Sequence, residues 1–208
     1  MKEAFNLNSP WVQRFAMLTN LVMLNILWLI CCIPVFTAGA ATSALYYTIF
    51  QYHTKVDDAV LKPFFHAFKV NFKQSTIFLL PLLVVLALLG FDMVYLISHG
   101  TGVAVLFLLI VAVFLVAGMM VHLFPLIARF NMDGKALVRT AFSLVVLHLP
   151  ATITVILLTV LPAFLLLFQP SLFLRLGVAW AGVWYALIAY LFGKFLLKIW
   201  EKHTPSDQ

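Results

Sequence analysis

Apolar residues in this chain do not alternate with polar ones, and they do not recur at every third or fourth position. They run in long blocks interrupted by few charges. The blocks are residues 15–36, 75–97, 103–128, 142–168 and 172–198. Roughly 20 consecutive apolar residues cross a bilayer as one helix, so each block predicts a spanning helix. Residues 37–52 form a sixth, shorter stretch rich in Gly, Ala, Ser and Thr. As a helix it would rise about 24 Å at 1.5 Å per residue. That length suffices only if it is packed within protein.

One segment does show helical periodicity. In residues 61–74, Leu61, Phe65, Phe68 and Phe72 form an apolar stripe. Lys62, His66, Lys69 and Lys73 form a basic stripe beside it. This predicts an amphipathic helix on the cytoplasmic surface, with its lysines on lipid phosphates or on a docking partner. Ser9 and Pro10 suit the N-cap and first position of the opening helix.

Composition fixes the broad class. Of 208 residues 64% are hydrophobic and 10% charged, and the mean hydropathy is +1.09. A typical soluble domain is about 25% charged. A water-soluble enzyme and a disordered chain are both excluded, and one integral membrane domain, 1–208, accounts for the length. The fold class expected is an all-α polytopic membrane helix bundle of about six spans.

Charge sets the expected orientation. The net charge is +6, which reads as cytoplasmic loops facing anionic lipid rather than as a nucleic-acid surface. The connectors alternate between basic and uncharged. With six spans, 12 of the 13 Lys and Arg residues face the cytoplasm (13 less Arg175), and both termini lie inside. The small-residue stretch 37–52 must then cross back, because a re-entrant loop would place the following lysines outside. Residues 38–40 superficially resemble a signal-peptidase site. The run before them is longer than a signal peptide's apolar region, and cleavage is not expected. A weak parallel repeat is also visible, offset by about 70 residues. Residues 64–75 lead into a span containing Pro81, and residues 134–143 lead into one containing Pro150.

Candidate chemistry is sparse. Ala179, Gly182, Ala186, Ala189 and Gly193 form a small-residue face on the last span, suited to close helix approach within the chain or with another protein. Asp92, His122 and His148 are ionisable groups inside spans. Such groups suggest a proton or cation path, although the two imidazoles could serve only as hydrogen bonds between helices. Asn20, Asn25 and Asn71 have the same polar-glue reading. Cys31 and Cys32 are adjacent and read as reduced packing residues; no metal site is expected. The chain has no P-loop, GxSxG or HExxH pattern, and no catalytic or cofactor-binding residues are assigned.

Four stretches carry a family resemblance: NLVMLNILW at 20–28, PVFTAGAATSALY at 34–46, FFHAFKVNFKQ at 64–74 and FPLIARF at 124–130. Together they resemble the YesL family of bacterial membrane proteins. The resemblance implies a plasma-membrane accessory component of carbohydrate ABC import, partnered by the permease subunits and by lipid, with no catalytic residues to carry over. The first hairpin then reads as a wedge. Pro34 ends its first helix, while Thr37, Gly39, Ser43 and their small neighbours let the return helix pack closely. The hairpin or the last span would meet the permease, with Phe65, Phe68, Lys69, Lys73 and Arg129 toward the ATPase side. A stand-alone solute or proton-coupled transporter is the alternative, and a membrane enzyme or sensor is the remaining class.

Overall fold

The computed structural model describes residues 10–54, 60–100 and 102–203. Ser9, Lys55, the pair at Asp57 and Asp58, and Thr101 lie outside them, so the N-cap reading at Ser9 concerns a residue outside the described set.

Every regular element described is helical. Helix α1 spans Pro10–Cys32, a 3-10 turn covers Val35–Thr37, and α2 spans Ala38–His53. Helix α3, Leu61–Ser98, is the longest. It is followed by α4 (Val103–Arg129), α5 (Gly134–Leu147) and α6 (Leu149–Phe168). Two short pieces, α7 (Pro170–Arg175) and α8 (Gly177–Ala179), lead into a π-helical segment at Trp180–Trp184. Helix α9, Tyr185–His203, closes the described chain. Among the described residues five helices are long and apolar enough to cross a membrane: α1, α3, α4, α6 and the stretch Trp180–Lys202. The protein is thus an all-α polytopic membrane bundle.

The small-residue helix α2 is the hub. Ala40, Ala41 and Ala44 are fully buried, as are Ser43 and, nearly so, Ile49 and Phe50. Its small side chains let backbones approach. A Cβ on Gly39 would stand 2.8 Å from Phe124 Cε1 and 3.0 Å from the Ser75 carbonyl oxygen. Ser43 and Ser75 hydroxyls meet at 2.9 Å. Tyr47 faces His66, their rings 6.5 Å apart. The order of these contacts makes α2 antiparallel to α3. On its other side Tyr46 meets Phe192, and Phe50 meets Trp200, so α2 and α9 run the same way.

Three element boundaries differ from the sequence expectations. First, residues 61–74 and 75–97 are one 38-residue helix, not a surface helix followed by a span. No residue in 61–98 stops the helix, because Pro63 lies in the first turn and Pro81 is accommodated inside. The face turned to the core is also not the Leu61–Phe65–Phe68–Phe72 stripe. Phe64, Ala67 and Ser75 are fully or almost fully buried, while Leu61 and Phe65 stay exposed. Second, the expected span 142–168 is broken at His148 into α5 and α6. Pro150 lacks an N–H and favours the first turn of a new helix. The two halves of the weak repeat therefore differ, with one continuous helix and one broken. Third, the expected last span 172–198 begins as short helical pieces and passes through the π segment before α9.

Candidate functional site

The first hairpin turns on hydrogen bonds at its break. Pro34 is extended, with φ −76° and ψ 115°. The Thr37 hydroxyl reaches the Pro34 carbonyl at 2.6 Å and the Cys31 carbonyl at 2.5 Å. A proline two residues past the end of α1 leaves carbonyls without helical donors; the single Thr37 hydroxyl proton is shared between one of these, on Cys31, and the Pro34 carbonyl, which also accepts the Thr37 N–H at 2.9 Å. Trp28 Nε1 donates to Thr42 Oγ1 at 3.1 Å, and Thr42 donates to the Ala38 carbonyl at 2.7 Å. The two helices are thus tied together on both sides of the turn. Cys31 and Cys32 are free.

Asn25 joins this hairpin to the last helix. Its side chain is fully buried. Its amide nitrogen donates to the carbonyls of Ala181, at 2.8 Å, and Trp180, at 3.3 Å. Its oxygen accepts from the Ala186 backbone N–H at 2.9 Å. A π segment carries one extra residue per turn and disturbs the regular ladder. The Asn25 carboxamide fills that place as an inserted peptide group would. Trp28 packs beside it against Tyr185, with ring centroids 4.6 Å apart and planes tilted by 37°.

A similar repair occurs at Pro162 of α6. Proline cannot donate to the carbonyl four residues earlier, which here is Leu158. Trp184 Nε1 donates to that carbonyl at 3.0 Å. Trp180 Nε1, by contrast, is buried without a hydrogen-bond partner.

The small-residue face of the last span divides in two. Ala186, Ala189 and Gly193 are buried. A Cβ on Gly193 would press on Ile49 at 3.1 Å and on Phe50 at 3.3 Å. Ala179 is exposed, and a Cβ on Gly182 would meet nothing within 4 Å. The lower half of the stripe is occupied by α2, and the upper half is open.

The three intramembrane ionisable groups do not form one site. His122 is fully buried. Its Nε2 lies 2.8 Å from Thr152 Oγ1, and Thr152 donates to the His148 carbonyl at 3.0 Å. The single Thr152 proton is thereby committed, so Nε2 of His122 carries the proton and donates. Nδ1 is left without a partner. His148 sits at the α5–α6 break and meets Phe195 edge-on at 5.7 Å. The bond between helices runs from His122 to Thr152 rather than between the imidazoles. Asp92 is exposed on α3. It lies 13 residues beyond Leu79, about 20 Å further along the helix axis.

Polar side chains line several cavities among the described residues, including one of about 700 Å³ with Lys135 and Arg139; two others lie between the core helices and at the basic end. One, of about 170 Å³, lies between α1, α2, α4, α6 and α9; Trp28, Thr42, Tyr46, Thr159 and Tyr185 bring hydroxyls and aromatic faces to it. The other, of about 360 Å³, lies where α3 begins and α4 ends, and Arg129 and His66 line it. Phe65 is exposed and Phe68 half-buried beside this end, while Lys69 and Lys73 are exposed. No group of three or more His, Cys, Asp or Glu side chains able to hold a metal occurs among the described residues.

Sequence reasoning passed over Ser75, Thr152, Thr159 and the hydrogen-bonding role of Trp184. Two of them left a signal. Trp184 is the donor that a mid-helix Pro162 leaves a carbonyl for, and Thr152 stands one turn after His148.

Comparison with known proteins gives a family model described as a protein of unknown function, DUF624, that matches residues 21–93. It covers α1 from Leu21, all of α2 and most of α3. The uncharacterized protein YteU of Bacillus subtilis (strain 168) is 29% identical over 204 residues, 95% of this chain and 87% of that protein. No solved structure matches.

Proposed function

We propose that this chain is a non-enzymatic accessory subunit of the plasma membrane that seats laterally against the permease of a carbohydrate ABC importer and supports its assembly or activity. The observation that carries the lateral seat is the divided small-residue face. Buried small residues at Ala186, Ala189 and Gly193 hold α9 against α2, while Ala179 and Gly182 continue the stripe outward with open space above Gly182. In lipid, helices associate through close backbone approach and packing. An open small-residue strip is suited to that. The carbohydrate importer as the partner rests on the YesL resemblance.

The interior supports the same reading. Asn25, Ser43, Thr152 and Trp184 engage other helices of the bundle, and Thr37 reaches the Cys31 carbonyl at the end of α1. They act as fasteners. Both termini in the cytoplasm, with α2 as a short sixth crossing, fit the antiparallel order of α1, α2 and α3 and the positive-inside rule.

Affinity-tagged chain purified from native membranes in mild detergent should bring down the permease. Gly182→Leu should reduce the recovered permease by about tenfold while leaving the chain's own yield unchanged, since a buried interfacial clash costs on the order of 1–3 kcal/mol. Failure of the unmodified chain to associate overturns the reading.

The 170 Å³ cavity favours one alternative, a small-solute transporter with its site among Trp28, Tyr46 and Tyr185. Purified chain in liposomes that moves a solute without any partner would establish it.

A further inference from the structure

A polar cleft opens between α2, the start of α3 and the turn after α4. Its polar lining comes from Tyr47, His66, Asn71, Gln74, Arg129 and Asn131, and its volume is about 360 Å³. We propose that this cleft binds a phosphate group, carried either by an anionic lipid headgroup or by a soluble phosphate.

The donors are suited to an oxyanion. Arg129 offers a guanidinium whose planar fork matches phosphate in two parallel bonds. It is exposed at the end of α4 rather than folded into the core. Gln51 Nε2 donates to the Tyr47 hydroxyl at 2.8 Å, so that hydroxyl accepts there and keeps its own proton to donate. Gln74 Nε2 donates to the Met132 carbonyl at 3.2 Å. That bond ties the turn after α4 to α3 and holds Asn131 and Arg129 over the cleft. The His66 imidazole and the side-chain amides of Asn71 and Asn131 complete the rim.

Electrostatics point the same way. No carboxylate is among the described residues that line the cleft. Lys69 and Lys73 are exposed on the same helix as His66, three and seven residues on. Near one helical face, such charges raise the local concentration of anions. The C-terminal carbonyls of α4 oppose this with about half a negative charge, less than the full charge on Arg129.

The test uses the full chain in neutral detergent and in nanodiscs. Inorganic phosphate is titrated by calorimetry. Separately, retention of phosphatidylglycerol over phosphatidylcholine is read by native mass spectrometry. Either signal supports the proposal, and the arm that responds identifies the source of the phosphate. Arg129→Gln should weaken the responding signal by about tenfold or more, the scale of losing a charged hydrogen-bonded pair. Arg129→Lys should fall between Gln and the natural residue, because the charge remains and the fork is lost. Arg139→Gln, on α5 and outside the cleft, should change it less than about twofold, the scale of a surface charge that touches no ligand. Size-exclusion and circular dichroism confirm that each variant is folded. Equal losses in the Arg129 and Arg139 variants, or no response in either arm, overturn the proposal.

Discussion

Asn25 shows how much one side chain decides in a low-dielectric interior. Three hydrogen bonds connect it to the π segment and to the first residues of α9. A leucine there keeps the volume but removes all three bonds at once. An unsatisfied buried group costs roughly 1–3 kcal/mol, and membrane hydrogen bonds sit at the low end of such figures. Asn25→Leu is therefore expected to destabilise the protein by roughly 2–3 kcal/mol in a detergent-denaturation titration. Stability equal to that of the natural chain would show that the segment needs no lateral support and returns to a regular α-helix. The sequence marks Asn25 as polar glue, since an amide in an apolar run must find partners. It does not say which partners, because they lie more than 150 residues away.

Among the elements, α2 contrasts with the last helix. Both carry small residues at helical spacing, and the two stripes look alike in the sequence. Their surroundings differ. Gly39 has Phe124, Leu79 and the Ser75 backbone in contact, whereas Gly182 has open space. Gly39→Ala should lower the unfolding midpoint through overpacking worth on the order of 1–3 kcal/mol. Gly182→Ala should leave it within about 0.5 kcal/mol, or raise it slightly, because alanine favours the helical state. The same denaturation measurement separates them, and equal effects would contradict this difference in packing. The stripe of α3 carries a related lesson. Periodicity locates Leu61, Phe65, Phe68 and Phe72 on one side correctly. The core takes the adjoining side, with Phe64, Ala67 and Ser75, because α2 supplies a flat surface there that admits close approach.

For the whole molecule, the question is the number of passes. Five helices meet the length and hydropathy expected of a span, and α2, with 16 residues, is shorter. With a cytoplasmic N-terminus, a return of α2 across the bilayer puts Lys135 inside and Arg175 outside. With Cys31 and Cys32 replaced by Ser, a single cysteine at Arg175 should react with an impermeant maleimide on intact cells. One at Lys135 should react only after permeabilisation. The reverse pattern would invert the orientation and remove the cytoplasmic placement of the basic end.

Hydropathy and charge order along the chain were enough, unaided, to establish an all-α membrane bundle and the approximate position of most of its long helices. Each long apolar run must satisfy its own backbone in lipid, and a helix does so locally. Tertiary structure alone decided which face of each helix is buried and that a carboxamide on the first helix completes the ladder of the last. Those outcomes depend on which residues meet across distant parts of the chain. Lipid is as apolar as a leucine side chain, so hydrophobicity cannot rank one face above another, and shape and hydrogen bonding make the choice.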